Sequence, residues 1–135
     1  MKPKLDKKLV KDFPKIFVNR YGDLHETAMC WGFDCGDGWY WLINALCSQL
    51  QWDTDKNGQP QVVASQVKEK YGTLRFYVES SNEHQNAMIS LAESMSAKIC
   101  EECGSTEFVK TRGKYWMTTL CNTCHADREK TKCQT

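Results

Sequence analysis

Cys100-Glu101-Glu102-Cys103 and Cys121-Asn122-Thr123-Cys124 are the stretches whose reading decides this chain, and seventeen residues separate them. In each C-x2-C pair the backbone turns so that two thiolates point at one centre. Two such pairs supply the four soft ligands that tetrahedral zinc prefers. The alternative is a pair of disulfides or four free thiols. The other cysteines, Cys30, Cys35, Cys47 and Cys133, are scattered and no apolar leader precedes them. A reducing compartment is therefore expected, where paired C-x2-C motifs bind metal. The expectation is one structural Zn2+ held by Cys100, Cys103, Cys121 and Cys124.

Between the pairs, residues 107–111 and 114–120 read as strands joined by Arg112-Gly113, with Tyr115, Met117 and Thr119 alternating against Trp116, Thr118 and Leu120. A helical tail follows from about His125. Knuckle, hairpin, knuckle and helix in that order describe a treble-clef or zinc-ribbon unit. So small a unit buries little apolar surface, and metal binding must supply much of its folding free energy, on the order of ten kcal/mol. Four thiolates leave no open position for water, so a metal held this way is structural and not catalytic.

Working outward, the 135 residues predict an α+β domain over 1–99 with the zinc unit, 100–135, appended to it. A hydrophobic content of 41% and a charged content of 26% belong to a globular chain. Residues 42–50 are too short and too polar to span a membrane, and a cytoplasmic location is expected. The net charge of +1 conceals a basic stretch, residues 1–20, and an acidic one, residues 21–60. This is not the profile of a generic, strongly basic nucleic-acid binder.

Residues 2–11 carry Leu5, Leu9 and Val10 at helical spacing among lysines, and Pro14 ends that helix. Its basic face reads as a solvated surface, with a phosphate-binding arm as the alternative. Asp37, between Gly36 and Gly38, fits the N-cap of a helix from Trp39 to about Gln51 whose stripe is Leu42, Ile43, Leu46, Cys47 and Leu50. Trp39, Trp41 and Trp52 read as core or core-edge residues, the alternative being an aromatic platform. Residues 53–60 read as a polar loop with Asn57-Gly58 as its turn. Ser80 with Glu83 reads as a capping box for a helix reaching Ile99, with Ala87, Met88, Leu91, Ala92 and Met95 as its apolar stripe.

Residues 61–79 form the clearest hairpin of the domain. With Tyr71-Gly72 as a two-residue loop, Val67 lies opposite Phe76 and Ser65 opposite Val78, making a buried face with Val63 and Leu74. The other face then carries Gln66, Lys68, Lys70, Thr73, Arg75 and Tyr77. Lys68 opposes Arg75 there, an arrangement that is destabilising unless an acid or a bound anion lies over it. Lys68, Lys70, Arg75, Tyr77 and Gln66 are thus the candidate binding surface. Glu69, Glu79 or an acid from residues 21–60 is the internal alternative for neutralising it.

Two resemblances attach to these motifs. The run from Leu120 to Lys130, with Cys121-Asn122-Thr123-Cys124-His125, resembles the closing segment of zinc-bearing HNH endonucleases. That likeness implies a catalytic metal near His125, but those enzymes also place a general-base histidine between the knuckles. Residues 104–120 contain none, and the other histidines are His25 and His84. Met29 to Trp39, then Gln66 to Val78, then the paired cysteines, look like a family of short phage and prophage proteins. This implies an accessory protein acting in the bacterial host cytoplasm by binding a host enzyme, a defence component or its nucleotide signal. The expectation is a non-catalytic protein with a host protein as partner. Nucleic-acid binding, nucleotide sequestration and an HNH-like nuclease are the alternatives, in that order.

Overall fold

Helix α1 (Pro3–Asp12) opens with proline in its first turn, where the missing N–H has no helical acceptor to lose, and it stops before Pro14 as the sequence predicts. The computed structural model describes residues 1–134. Leu9 faces the core, and beside it the Asp6 carboxylate takes a forked contact from Arg20, with Nε to Oδ1 at 3.0 Å and Nη2 to Oδ2 at 3.0 Å. Nη1 of Arg20 donates to the Cys30 carbonyl at 2.9 Å. One guanidinium thus pins the irregular segment 13–32 to α1.

That segment leads into β1 (Phe33–Asp34), a strand too short for any sequence pattern to reveal. It pairs in parallel with β2 (Ala64–Lys70), placing Phe33 beside Val67 and Asp34 beside Lys68. β2 pairs antiparallel with β3 (Thr73–Val78), and the strand order is β1-β2-β3. The hairpin turn is the expected one. Tyr71 and Gly72 have φ of 55° and 84°, both positive as a type I′ turn requires. Val67 faces Phe76 and Lys68 faces Arg75. Further from the turn the expected register fails, because a bulge between Ala64 and Gln66 sets Ala64, and not Ser65, opposite Val78. The buried face is therefore Ala64, Val67, Leu74 and Phe76, with Val62 inside and Val63 only half-buried.

Helix α2 (Tyr40–Asn57) runs six residues past its expected end. Gly58, at φ 70°, is its left-handed C-cap, so Asn57-Gly58 terminates a helix and does not turn a loop. The apolar stripe is as predicted. Trp39 is wholly buried, but Trp41 and Trp52 are 72% and 52% exposed because they project from the side opposite that stripe. Asp37 does not cap α2. It lies in a short 3-10 turn (Asp37–Trp39), and its Oδ1 accepts the Lys2 N–H at 2.8 Å, serving the N-terminus of α1 instead.

Helix α3 (Glu83–Ser96) is capped by Asn82 with Gln85 reciprocating, not by Ser80 with Glu83, and it ends three residues before Ile99. Its buried stripe is Gln85, Ile89, Ala92 and Ser96, rotated from the expected one, so Ala87, Leu91 and Met95 face outward. The rotation has a cause in hydrogen bonding. Ser96 Oγ accepts the Leu74 N–H at 2.9 Å and the Glu93 carboxylate accepts the Phe76 N–H at 2.9 Å, so α3 satisfies the outer N–H groups of edge strand β3. Gln85 Nε2 donates to the Pro60 carbonyl at 2.7 Å.

The C-terminal unit consists of β4 (Val109–Arg112), β5 (Thr118–Cys121) and α4 (Asn122–Cys133). The first two pair antiparallel from Val109 with Cys121 to Arg112 with Thr118. Residues 113–117 are thus a loop and not strand. Lys114, Tyr115 and Trp116 project from it, and the expected alternation of Tyr115 against Trp116 is absent. α4 starts at Asn122, three residues before the expected His125. The architecture is α+β, with helices on small sheets and a C-terminal cysteine cluster consistent with a zinc unit. No helix among the described residues is long and apolar enough to cross a membrane.

Candidate metal centre and adjoining cleft

Cys100 and Cys103 lie on the turn after α3, Cys121 ends β5, and Cys124 lies in the first turn of α4. The four Sγ atoms all fall within 4.8 Å of one another. Zinc bonded to sulfur at about 2.3 Å in a tetrahedron sets neighbouring sulfurs about 3.8 Å apart. Cys103 Sγ and Cys121 Sγ stand 3.8 Å apart. The donor set and its dimensions are compatible with one Zn2+.

The surrounding backbone is arranged for thiolates. Cys121 is the N-cap of α4, and its Sγ accepts the Cys124 N–H at 3.4 Å. Burial works against ionisation of Cys100, but N–H groups of residues 103, 121 and 102 outweigh it and bring the thiol down to about 7. His125 is half-buried, directly after Cys124.

The body clasps this unit through Glu101, next to Cys100, and through Ile99 before it. The Glu101 carbonyl accepts the Gly38 N–H at 2.7 Å, its Oε2 accepts the Gly36 N–H at 2.9 Å, and Trp39 Nε1 donates to the Ile99 carbonyl at 2.9 Å. A Cβ at Gly38 would overlap the Cys100 carbonyl, and one at Gly36 the Glu101 carbonyl. Glycine is needed at both positions for close approach, not for unusual backbone angles. On the far side, Thr119 Oγ1 donates to the Gly72 carbonyl, bringing the turn of the first hairpin against the second.

Between these two points of contact lies a cleft of about 600 Å³, with Lys68, Glu69, Lys70 and Tyr71 on one wall and Tyr115, Trp116 and Met117 on the other. Glu101 and Arg128 also line it. Tyr71, Tyr115 and Trp116 are 72%, 91% and 78% exposed. Tyr71 occupies a left-handed conformation better suited to Asn or Gly, and the Lys70 ammonium stands 5.6 Å from its ring centroid.

The expected binding surface is assembled in part as drawn. Lys68 and Arg75 face one another, Gln66 faces Tyr77, and Tyr77 is 40% exposed. Neither Lys68 nor Arg75 forms an ion pair among the described residues. Arg75 donates instead to Thr73 Oγ1 at 2.8 Å and to the Leu74 carbonyl at 3.2 Å. Asp34 continues the row on β1 beside Lys68. Glu69 does not join this face, because it pairs with Leu74 on the other side of the sheet. Its Oε2 is sealed from solvent and has no hydrogen-bond partner. Burial, with the Glu69 charge nearby, holds the Glu101 carboxyl above the usual carboxylate range.

Reading the sequence missed Glu69, Glu101 and the aromatic wall as parts of one site. Only the chain's return through the C-terminal hairpin brings them together. No family model, curated protein or solved structure matches the chain.

Proposed function

We propose that this is a non-catalytic binding protein whose C-terminal unit is held by one structural zinc ion and whose partner is a host protein in the bacterial cytoplasm. The observation that carries it is the row of Lys68 and Arg75, opposed and without an ion-paired acid, running past Lys70 into a cleft edged by exposed Tyr71 and Trp116. Opposed cations and solvated aromatics are both costly in a free protein, and a partner with acidic and apolar groups offsets both. The phage likeness of Met29 to Trp39 and Gln66 to Val78 supports the choice of a host target, whether an enzyme or a defence component.

Each cysteine supplies one thiolate to the ion, which fixes the turn at 100–103 and the start of α4. Bound this way, zinc supplies folding energy and no open coordination position. The test compares wild type with the Lys68→Glu/Arg75→Glu variant in host lysate with and without nuclease treatment, with zinc content and melting temperature measured in parallel. A protein retained by the wild type at one-to-one stoichiometry and lost by the variant, with both proteins equally folded, is the expected outcome. Retention that vanishes on nuclease treatment and falls steeply with salt would instead assign the surface to nucleic acid.

A further inference from the structure

We propose that the outer face of α2 is a self-association surface, on which a second copy of this chain packs its own α2 antiparallel about a twofold axis. This goes beyond the partner-binding reading and uses none of its residues. Trp41, Ala45, Ser48 and Trp52 fall on one side of α2 at helical spacing, and all four are exposed. Residues 40–52 carry no Asp, Glu, Lys or Arg, in a chain that is 26% charged. Charge ordinarily collects on the solvent side of a surface helix, so its absence leaves an aromatic stripe with nothing to favour water.

The order of side-chain sizes points to the occupant. Read from either end, the stripe runs large, small, small, large in steps of four, three and four residues. Turned end for end, such a stripe is its own complement. In a twofold pairing Trp41 meets Trp52 of the second copy, and Ala45 meets Ser48 of the second copy. The small residues at the centre let the two helix axes approach to about 8–10 Å, while the rings close over the ends. These steps are those of the apolar seam in coiled coils and helical bundles. An unlike partner needs no such symmetry. The contact also buries no charge, since neither copy brings one to it.

The neighbouring helix widens the surface. α3 lies antiparallel to α2, tied at one end by His84 Nε2 to Asp53 Oδ2 at 3.0 Å and beyond the other by Trp39 Nε1 to the Ile99 carbonyl. From α3, Leu91 and Met95 stand 62% and 44% exposed. Together with the two rings they leave on the order of 500 Å² in solvent, against roughly 800 Å² that each partner gives to a standard interface. Ala45, Ser48, Gln49 and Ala87 supply further area, and a reversible dimer is the expected result. Trp41 is already fixed for this contact, edge-on to the Tyr40 ring with centroids 5.1 Å apart. α2 shares its core with Val67, Leu74 and Phe76, so the sheet stands between this face and the Lys68–Arg75 row. A dimer through α2 therefore leaves both rows open and doubles them, which strengthens attachment to a target that carries two sites.

The test is sedimentation equilibrium of the zinc-loaded full chain from about 1 μM to about 1 mM, the range of weak dimers. Reductant keeps the exposed Cys103 and Cys133 from cross-linking. The mass of the wild type should rise from 15.6 kDa toward twice that value. Ala45→Glu alters a residue that is exposed in the single chain, so its melting temperature at the lowest concentration should match wild type. Its dimer should nevertheless dissociate about tenfold more readily or worse, because a lone charge is then buried in the contact. Ser48→Lys should act alike. The Ala45→Glu/Ser48→Lys double variant should associate more tightly than either, since each new acid then faces a new base across the axis.

A wild type that stays monomeric throughout would overturn the proposal and leave the face to an unlike partner. So would a dimer indifferent to Ala45→Glu, or one abolished by Lys68→Glu/Arg75→Glu, because the contact would then lie elsewhere. A double variant no tighter than Ala45→Glu alone would overturn the antiparallel pairing.

Discussion

Residues 1–99 enclose a continuous apolar core that draws on α1, α2, α3 and all three strands, whereas the interior of residues 100–134 amounts to Cys100, Leu120 and Cys121 with Val109 and Cys124 against them. The first interior holds itself by removing apolar surface from water. The second is too small to do so, and two of its three buried residues are cysteines of the candidate metal site. Stability in the two regions should therefore answer to different reagents: cavity-forming substitutions in one, chelators and thiol chemistry in the other. The seam between them is polar and close, made of glycine N–H groups meeting the Glu101 carbonyl and carboxylate.

The sharpest way to break this contrast is to remove the proposed zinc ion. Chelation, or Cys121→Ser, should unfold the C-terminal unit, with a loss on the order of ten kcal/mol of metal-coupled folding free energy. Far-UV circular dichroism should retain the signal of α1 to α3. A single transition that takes the whole chain with it would show that the body cannot stand without its partner region. Next in size, Trp39→Ala should cost about 3–5 kcal/mol by emptying the core, measured by denaturant unfolding of the zinc-loaded protein. It also deletes the bond to the Ile99 carbonyl, so it should loosen the seam.

Gly38→Ala addresses the seam alone. Its new methyl group meets the Cys100 carbonyl, so a cost of about 1–3 kcal/mol is expected, with amide exchange accelerating in residues 100–104 ahead of the body core.

Much of this organisation was legible in the chain itself. Cysteine spacing located the C-terminal unit because ligand geometry is local and tolerates few alternatives. The hairpin around Tyr71-Gly72 was legible because a two-residue turn dictates the pairing next to it. The register ceased to be legible at Ser65, where a bulge interrupts the pairing and the Ala64 N–H is taken up by the Ile16 carbonyl at 2.8 Å. The α3 stripe was misread for a related reason. Gln85 and Ser96 look like surface residues until the carbonyl of Pro60 and the N–H of Leu74 are known to need them. Trp41 and Trp52 were misplaced by the assumption that tryptophan packs inward, and the cleft depends on contacts between residues far apart in sequence.

A smaller effect comes from Asp53, in the body and not in the cysteine cluster. His84, Asn57 and Gln49 donate to the Asp53 carboxylate, with His84 Nε2 at 3.0 Å from Oδ2, and they hold its carboxyl below the ordinary range against the opposing effect of burial. A lowered folded value means that these bonds contribute fully above about pH 4 and are lost as pH falls through the depressed folded value. Asp53→Ala should therefore melt lower than wild type at pH 7, and the gap should close in acid. The smallest effect is expected for Lys68→Glu/Arg75→Glu, whose melting temperature should stay within about a degree or two of wild type, as for other surface substitutions. A large drop would make the basic row part of the folded frame.

The bonds from Ser96 and Glu93 to β3 have a consequence for how anything can attach to this protein. An edge strand normally offers a template on which a peptide or a second molecule lays itself down, backbone to backbone. Here the outer N–H groups of Leu74 and Phe76 are already spoken for, and the opposite edge is only two residues long. The sheet cannot be lengthened in either direction. Recognition on this sheet then proceeds through side chains and is sensitive to the identity of a few residues on the partner, so a target can escape it by single substitutions.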